Sequence, residues 1–127
     1  MTSRRLEPPI VDSHATHANG IVSGNVIVIA GQVGVSQGTV PDGMLEQARL
    51  AMRNVVAVVS EGGGAVGSIA HLTWYVTSVA NYHECAQDIG RAFREIFGAH
   101  LPAMTLIGVT GLIDPRCHVE ISGIALL

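Results

Sequence analysis

A helix gives way to a strand in the stretch Phe97-Gly98-Ala99-His100-Leu101-Pro102-Ala103-Met104-Thr105. Gly98 follows an apolar helical run, and glycine readily adopts the left-handed conformation that ends helices. Pro102 then prevents a return to helix, because proline lacks a backbone donor and its ring clashes with the preceding turn. The stretch therefore predicts a helix that ends at Gly98 and a strand that begins near Ala103, with Met104 at its mouth.

Two segments before this point have the apolar spacing of amphipathic helices. They cover residues 43 to 61 and residues 81 to 97, and each is followed by glycine. We expect Asp42 to cap the first helix. Asn81, with Glu84 three residues later, resembles a capping box and is expected to begin the second.

The remaining patterns are those of strands. Apolar and polar residues alternate over residues 71 to 77, and further strands are predicted in four segments: two within 15 to 29, which turn at residues 23 to 25, one over 103 to 110 and one over 118 to 126. Gly31 is expected to end the second of them. This order of strands and helices favours an α+β fold with one mixed sheet and two helices on one face.

The chain of 127 residues has no linker and no internal repeat, which predicts a single domain over residues 1 to 127. Residues 1 to 12 carry Arg4, Arg5, Glu7 and two prolines without periodicity. They are expected to form an extended or poorly ordered arm.

Composition excludes several functions. Hydrophobic residues make up 48% of the chain and charged residues only 13%, which is too little charge to cover a monomer and predicts a homo-oligomer. The net charge is −3 and lysine is absent, so nucleic-acid binding and Schiff-base lysine chemistry are not expected. No segment has the roughly 20 apolar residues of a membrane span.

Metal and nucleotide cofactors are also not expected. Cys85 and Cys117 are too few and too far apart for a metal cluster or a disulfide framework, so we interpret both as free thiols in a reducing cytoplasm. Residues 62 to 67 match the letters of a dinucleotide-binding loop, but they follow a helix and precede a strand, which is the reverse of the required order.

One carboxylate lies inside an apolar strand pattern, in Val119-Glu120-Ile121. An unpaired charge is costly there unless it has a partner or holds a proton, so Glu120 is a candidate functional group. His118 lies two positions earlier, on the same face of a strand. It could pair with Glu120 as acid and base, but the interpretation we favour is a solvated histidine at the strand edge.

Several blocks of the sequence, taken with their spacing, resemble the YjgF/RidA family of small trimeric proteins. They are Gly31-Gln32, Leu45-Glu46-Gln47-Ala48-Arg49, Gly62-Gly63-Gly64, Pro102-Ala103-Met104 and Val119-Glu120-Ile121. The likeness covers residues 14 to 127. It implies a chorismate-mutase-like fold, a homotrimer packed sheet against sheet, and ligand sites in the clefts between neighbouring subunits.

The resemblance also implies roles for particular residues. Glu120 matches the carboxylate that activates water, although a structural hydrogen bond to a neighbouring subunit is an alternative. Gly31, Thr105 and Leu106 would orient substrate through backbone amides. Members with imine deaminase activity carry arginine at the position of Met104, and that arginine holds the substrate carboxylate; many carry cysteine at the position of Leu106.

Two further histidines, His14 and His17, lie near the N-terminus. His17 falls where the family often has a tyrosine at the ligand cleft, and a plain surface histidine is the alternative. On an extended strand, residues three apart face opposite ways, which disfavours one metal ion shared by the two histidines.

The expected function is therefore hydrolysis of a small imine or enamine that lacks an α-carboxylate, with Glu120 catalytic and no cofactor. The partners are a small-molecule substrate and two further copies of the chain. The alternative is a non-catalytic trimer that binds a small metabolite or supports a partner enzyme, which the methionine at position 104 favours. Ribonuclease activity, which is attributed to some family members, is disfavoured by the acidic balance and the absence of lysine.

Overall fold

The computed structural model describes residues 2–127, which form one mixed sheet with two helices packed on one face. The strands are β1 (Ser3–Leu6), β2 (Gly20–Ser23), β3 (Val26–Val33), β4 (Ile69–Val76), β5 (Ala103–Gly108) and β6 (Val119–Leu126). The helices are α1 (Met44–Glu61) and α2 (Val79–Phe97), and a short 3₁₀ turn (Val66–Ser68) precedes β4. The fold class expected from the sequence is confirmed.

The strand order across the sheet is β1-β2-β3-β6-β4-β5. All neighbours are antiparallel except β4 and β5, which are parallel and joined through α2. This order puts β6 in the centre and β5 at an edge. A residue on β6 is therefore separated from β5 by the whole of β4.

The core lies between the sheet and the helices. Ile27, Leu72 and Ile121, from three different strands, are fully buried together with Ala48 and Val55 of α1. Side chains alternate between faces along a strand, so the intervening residues lie on the face without helices.

That second face is apolar and exposed. Val28 and Ile124 are paired in register and remain 50% and 42% exposed, and Leu126 is 50% exposed. A contiguous apolar surface of this kind is typical of an interaction site.

The N-terminal arm is extended and belongs to the sheet. β1 pairs antiparallel with β2, and Leu6 at its end is fully buried in the core. Residues 7 to 19 then run outside the strands, so the first of the two predicted strands begins at Gly20 and not near residue 15, while the predicted turn at residues 23 to 25 is confirmed.

The predicted helix ends are partly right. Gly98 ends α2 with a φ of 64°, as expected. The two N-terminal caps are wrong: Gly43 rather than Asp42 occupies the first cap and makes no side-chain hydrogen bond, and α2 is capped by Ser78. The Ser78 hydroxyl accepts from the Asn81 amide at 3.1 Å, so the residue expected to be the cap lies inside the helix.

Strand β3 runs past Gly31 to Val33, contrary to expectation. Its pairing with β6 shifts register between Ile29 and Gln32, which marks a β-bulge. A glycine in a strand often marks such a bulge rather than the strand's end. Neither α1 nor α2 of the described residues is long and apolar enough to cross a membrane.

Candidate functional site

A cleft of about 370 Å³ opens beside the bulge of β3, on the side where β6 begins. Its polar lining comes from the loop after β1, from β3, from α1, from the β5–β6 connection and from β6: Asp12, His14, His17, Gln32, Asn54, Asp114 and Glu120. Its small and apolar lining consists of Val11, Gly31, Val33, Val35 and Ile113. The cleft therefore has a carboxylate-bearing floor and an apolar wall.

Glu120 is seated against the bulge. It pairs with Val33 of β3 and with Tyr75 of β4, and it alternates with Val119 and Ile121, whose side chains are buried under the helices. Its own side chain therefore lies on the opposite face of the sheet. A Cβ atom at Gly31 would lie 2.6 Å from Cδ and from Oε2 of Glu120. Glycine at position 31 is what leaves room for this carboxyl group.

The environment of Glu120 favours a proton. The side chain is half-buried, and among residues 2–127 no side chain or backbone group makes a hydrogen bond or ion pair with its carboxyl group. Burial disfavours the charged form and raises the pKa of Glu120 above its ordinary value. A carboxyl group with a raised pKa holds a proton more readily than an exposed glutamate and can both accept and return it, which is what general acid–base catalysis requires.

A network of buried amides holds the loop of residues 12 to 19 over this floor. The Asn19 side chain donates to the Asp12 carbonyl at 2.9 Å, and Gln32 Nε2 donates to Asn19 Oδ1 at 3.2 Å. The Asp12 carboxylate in turn accepts from the amides of Gln37 and Gly38 at 2.8 and 2.9 Å. The loop is thus fastened both to β3 and to the turn that follows it.

His14 and His17 lie on this loop rather than on a strand. Their rings stack with centroids 4.2 Å apart and an interplanar angle of 17°, and Thr16 Oγ1 lies 3.3 Å from His17 Nδ1. The expectation that the two side chains face opposite ways is wrong, because it assumed an extended strand. Residues 2–127 contain no group of three or more histidine, cysteine or acidic side chains that could hold a metal ion.

Of the residues predicted for the site, Glu120, Gly31 and His17 line one cleft. Met104, Thr105 and Leu106 do not: they lie on β5, and β4 separates them from β6. Met104 and Leu106 are 36% and 44% exposed at the sheet edge. Within one chain, the two halves of the predicted site are therefore apart.

His118 does not join Glu120, contrary to the same-face argument. It precedes β6, its amide donates to Gln47 Oε1 at 2.7 Å, and its ring contacts Thr77 Oγ1 at 3.4 Å. It lines a second cleft of about 300 Å³ at the start of α1, with Asp42 and Gln47. The alternation of a strand does not apply to His118, because it lies outside the strand.

The sequence analysis did not predict that two amide side chains of α1 are buried. Asn54 is only 3% exposed, and its Nδ2 donates to the carbonyls of Val33 and Val35 at 3.1 and 3.3 Å. Gln47 is 1% exposed and bonded on both sides. The missed signal is that Asn54 lies three residues after Ala51 and four before Val58, both of them core positions.

The two cysteines are free thiols, as expected. Burial is the main cause that raises the pKa of Cys85 and of Cys117 above the ordinary thiol value. A raised pKa keeps the thiol protonated and unreactive, so neither cysteine is a candidate nucleophile.

Two features define the class of small proteins to which this chain belongs: an α+β fold with a single sheet, and a desolvated carboxyl group in a cleft. The chain belongs to the YjgF/RidA family: the family model described as Endoribonuclease L-PSP matches residues 10–127. The 2-iminobutanoate/2-iminopropanoate deaminase of Escherichia coli (strain K12) is 31% identical over 112 residues, which cover 87% of this chain and 86% of that protein.

Solved structures agree with this assignment. Escherichia coli TdcF with bound serine superposes with a TM-score of 0.87 at 25% identity and covers 98% of both chains. The YjgF gene product of Escherichia coli superposes with a TM-score of 0.84 at 28% identity and covers 95% of both. The names of these relatives support an imine deaminase-like function in the family.

Proposed function

We propose that this protein hydrolyses small, reactive imines or enamines at clefts between the subunits of a homotrimer, without a cofactor. The observation that carries the proposal is Glu120, a half-buried carboxyl group with a raised pKa, seated against Gly31 in a cleft that also contains His17. A base that faces a cleft and has no partner among residues 2–127 is available to a bound water molecule.

In the proposed reaction, the Glu120 carboxylate removes a proton from water as the water oxygen bonds to the imine carbon. Glu120 passes this proton to the nitrogen, which gives a carbinolamine and restores the carboxylate. Glu120 then removes the proton of the carbinolamine hydroxyl and delivers it to the nitrogen as the carbon–nitrogen bond breaks, and the products are a carbonyl compound and ammonia. The carboxyl group returns to its starting state, so no redox partner is needed.

In the proposed trimer, a neighbouring subunit supplies the β5 residues that the Glu120 cleft of a single chain lacks. Strand β5 has only β4 as a neighbour, and its residues are exposed. An unpaired apolar edge strand is prone to association, and Val28, Ile124 and Leu126 add an exposed apolar face. We infer that β5 of one subunit, with Met104, Thr105 and Leu106, completes the cleft that contains Glu120 of the next.

The substrate of this cleft lacks an α-carboxylate. Pro102-Ala103-Met104 stands where the family resemblance implies an arginine that holds that group. A thioether offers no donor, whereas a bidentate arginine–carboxylate contact is among the stronger charge-assisted interactions. The apolar side chains of Met104 and Leu106 instead suit an uncharged substituent.

The test compares native protein with Glu120→Gln, which keeps the size of the side chain and loses its basicity. Imines are generated by an oxidase and trapped with semicarbazide, and a hydrolase lowers the rate of trapping. We expect the glutamine variant to lose activity by about a hundredfold or more, which is the usual contribution of a general base. An unchanged rate would exclude Glu120 as the base.

The matched control is Glu84→Gln, the same change at an exposed residue of α2. It should retain native activity. Light scattering shows whether each variant keeps its oligomeric state. Loss of the trimer in Glu120→Gln alone would favour the alternative structural role, a hydrogen bond across the subunit interface.

The alternative function is a non-catalytic trimer that holds a small apolar metabolite or supports a partner enzyme. Met104 favours it, since the contact that the resemblance assigns to arginine is missing. Ribonuclease activity is disfavoured, because the chain has no lysine and, among residues 2–127, no lysine or arginine lines the cleft. The free thiols fit a cytoplasmic protein.

A further inference from the structure

The charges around the cleft are of one sign. Three carboxyl groups line it, those of Asp12, Asp114 and Glu120, and within residues 2–127 its lining includes no lysine or arginine. Arg116 lies two residues after Asp114, and its Nε and Nη2 donate to the Asp114 carboxylate at 3.1 and 2.7 Å. Its Nη1 donates to the Gly38 carbonyl at 3.1 Å, so this guanidinium is already paired with a carboxylate of the lining.

The strand of a neighbouring subunit that is proposed to complete the site, β5, does not bring positive charge to the cleft. Residues 97 to 113, which contain β5 and the chain on both sides of it, include neither lysine nor arginine. The side chains that β5 brings to a cleft are alanine, methionine, threonine, leucine and isoleucine. This strand therefore adds no lysine or arginine to offset the three carboxyl groups of the lining.

The walls suit a flat ligand. The stacked rings of His14 and His17 form a planar aromatic surface on one side. Val33, Val35 and Ile113 form an apolar surface, and Ile113 is fully exposed at its rim. A ligand with a flat cationic group and an apolar substituent would place the first near Glu120 and the second against these residues.

We propose that the substrate of this cleft is a planar cation, the protonated iminium form of an imine derived from an amine rather than from an amino acid. This inference rests on the proposed hydrolase function and specifies its substrate class. The reaction is R₂C=NH₂⁺ + H₂O → R₂C=O + NH₄⁺: the carbon–oxygen bond forms, the carbon–nitrogen bond breaks, and the charge leaves on ammonium. The reaction that supplies this substrate is the two-electron oxidation of an amine to its imine.

The experiment measures binding of three stable, planar ligands of equal size to the full-length protein by calorimetry and by NMR. Benzamidinium carries the cationic carbon–nitrogen group of an iminium, benzoate is its anionic counterpart, and benzamide is neutral. We expect benzamidinium to bind about tenfold or more tightly than benzoate, as expected for a charge-assisted contact to a carboxylate. Its addition should shift the imidazole signals of His14 and His17.

Two variants localise the effect. Glu120→Gln should weaken benzamidinium binding several-fold and leave benzamide binding unchanged, while Glu84→Gln, which removes the same charge on the exposed face of α2, should change neither. Equal or tighter binding of benzoate would overturn the proposal. So would the absence of saturable benzamidinium binding at millimolar concentration.

Failure of this inference is distinguishable from failure of the hydrolase. If benzamidinium binds at the histidines but the trapping assay detects no hydrolysis of any imine, the proposed cation site is supported and the proposed hydrolase activity is not. If imines are hydrolysed but those made by an amino acid oxidase react faster than those made by an amine oxidase, the proposed hydrolase activity is supported and the proposed cationic substrate class is contradicted.

Discussion

At the scale of single residues, the contact between Gly31 and Glu120 shows how the backbone determines the environment of the candidate base. The glycine is needed because any Cβ would overlap the carboxyl group. The carboxyl group thereby lies deeper in the sheet than a surface glutamate, and this burial raises its pKa. A β-bulge thus sets the protonation behaviour of the candidate base.

A first prediction concerns pH. Because the pKa of Glu120 is higher in the folded than in the unfolded chain, its contribution to stability is complete below the unfolded pKa and is lost as pH rises through the folded pKa. Native protein should therefore lose thermal stability relative to Glu120→Gln over that range. The measurement is the difference in Tm between the two proteins at each pH.

Subtracting the two proteins cancels the other titratable groups of the cleft, Asp12, His14, His17 and Asp114, which both contain. For activity the sign is opposite, since catalysis needs the carboxylate: kcat/KM should fall as pH falls through the same raised pKa. A Tm difference that is constant with pH would show that Glu120 is not perturbed by burial.

A second prediction concerns Met104. If the cleft keeps the family geometry and lacks only the arginine, native protein should barely hydrolyse 2-aminoacrylate-type imino acids. Met104→Arg should gain that activity by roughly ten- to a hundredfold, which corresponds to about 1.5 to 3 kcal/mol for one charge-assisted contact in the transition state. The assay follows imino acid decay with native, Met104→Arg and Met104→Arg/Glu120→Gln proteins.

Rapid turnover of imino acids by native protein would contradict this reading of position 104. A folded but inactive Met104→Arg protein would favour the binding function instead. Circular dichroism is measured alongside, because an arginine buried without a partner would destabilise the protein.

At the scale of elements, the two helix caps give a matched comparison. Ser78→Ala removes the acceptor for the Asn81 amide and should lower the free energy of unfolding by about 1 kcal/mol. Asp42→Ala should change it by much less, because Asp42 lies outside α1 and makes no cap hydrogen bond. Urea denaturation distinguishes the two, and an equal loss in both variants would contradict the cap assignment.

The elements themselves were predictable from the sequence, because periodicity reports which face is buried. Alternation identified β4, helical spacing identified α1 to within one residue, and Gly98 with Pro102 identified the change from α2 to β5. The caps were not predictable in the same way. Ser78 and Asn81 are both suitable residues for the N-cap of α2, and which of them is the cap depends on where the chain leaves β4.

The candidate site was predictable only in part. Strand alternation placed Glu120, whereas Gly31 was expected at the site only from the family resemblance, since it lies at a bulge outside the regular pairing. The loop of residues 12 to 19 is held by long-range hydrogen bonds, such as Gln32 to Asn19, that no local pattern contains. The stacking of His14 on His17 depends on these contacts and could not be anticipated, whereas the burial of Asn54 could have been inferred from its spacing to Ala51 and Val58.

At the scale of the whole molecule, the low charged fraction agrees with the exposed apolar sheet face. We predict that Ile124→Asp prevents trimer formation and abolishes hydrolysis, because each buried, unpaired carboxylate costs a few kcal/mol in the interface. The change should leave the subunit fold intact, since Ile124 lies on the face away from the core. Light scattering and circular dichroism measure the two effects.

The control is Gln87→Asp, which introduces the same charge on the exposed face of α2 and should leave a trimer. A native subunit that is a stable monomer at micromolar concentration would contradict the assembly and, with it, the shared cleft. An Ile124→Asp protein that stays trimeric would place the interface on another surface.

The separation of β5 from Glu120 within one chain also has a genetic consequence. In the proposed trimer, a gene copy that encodes Glu120→Gln still supplies a working β5, and a copy with a damaged β5 still supplies a working carboxylate. Neither product is active alone, yet every mixed trimer contains one cleft in which both contributions are native. Two defective alleles in the same cell should therefore complement each other, whereas two defects in Glu120 should not.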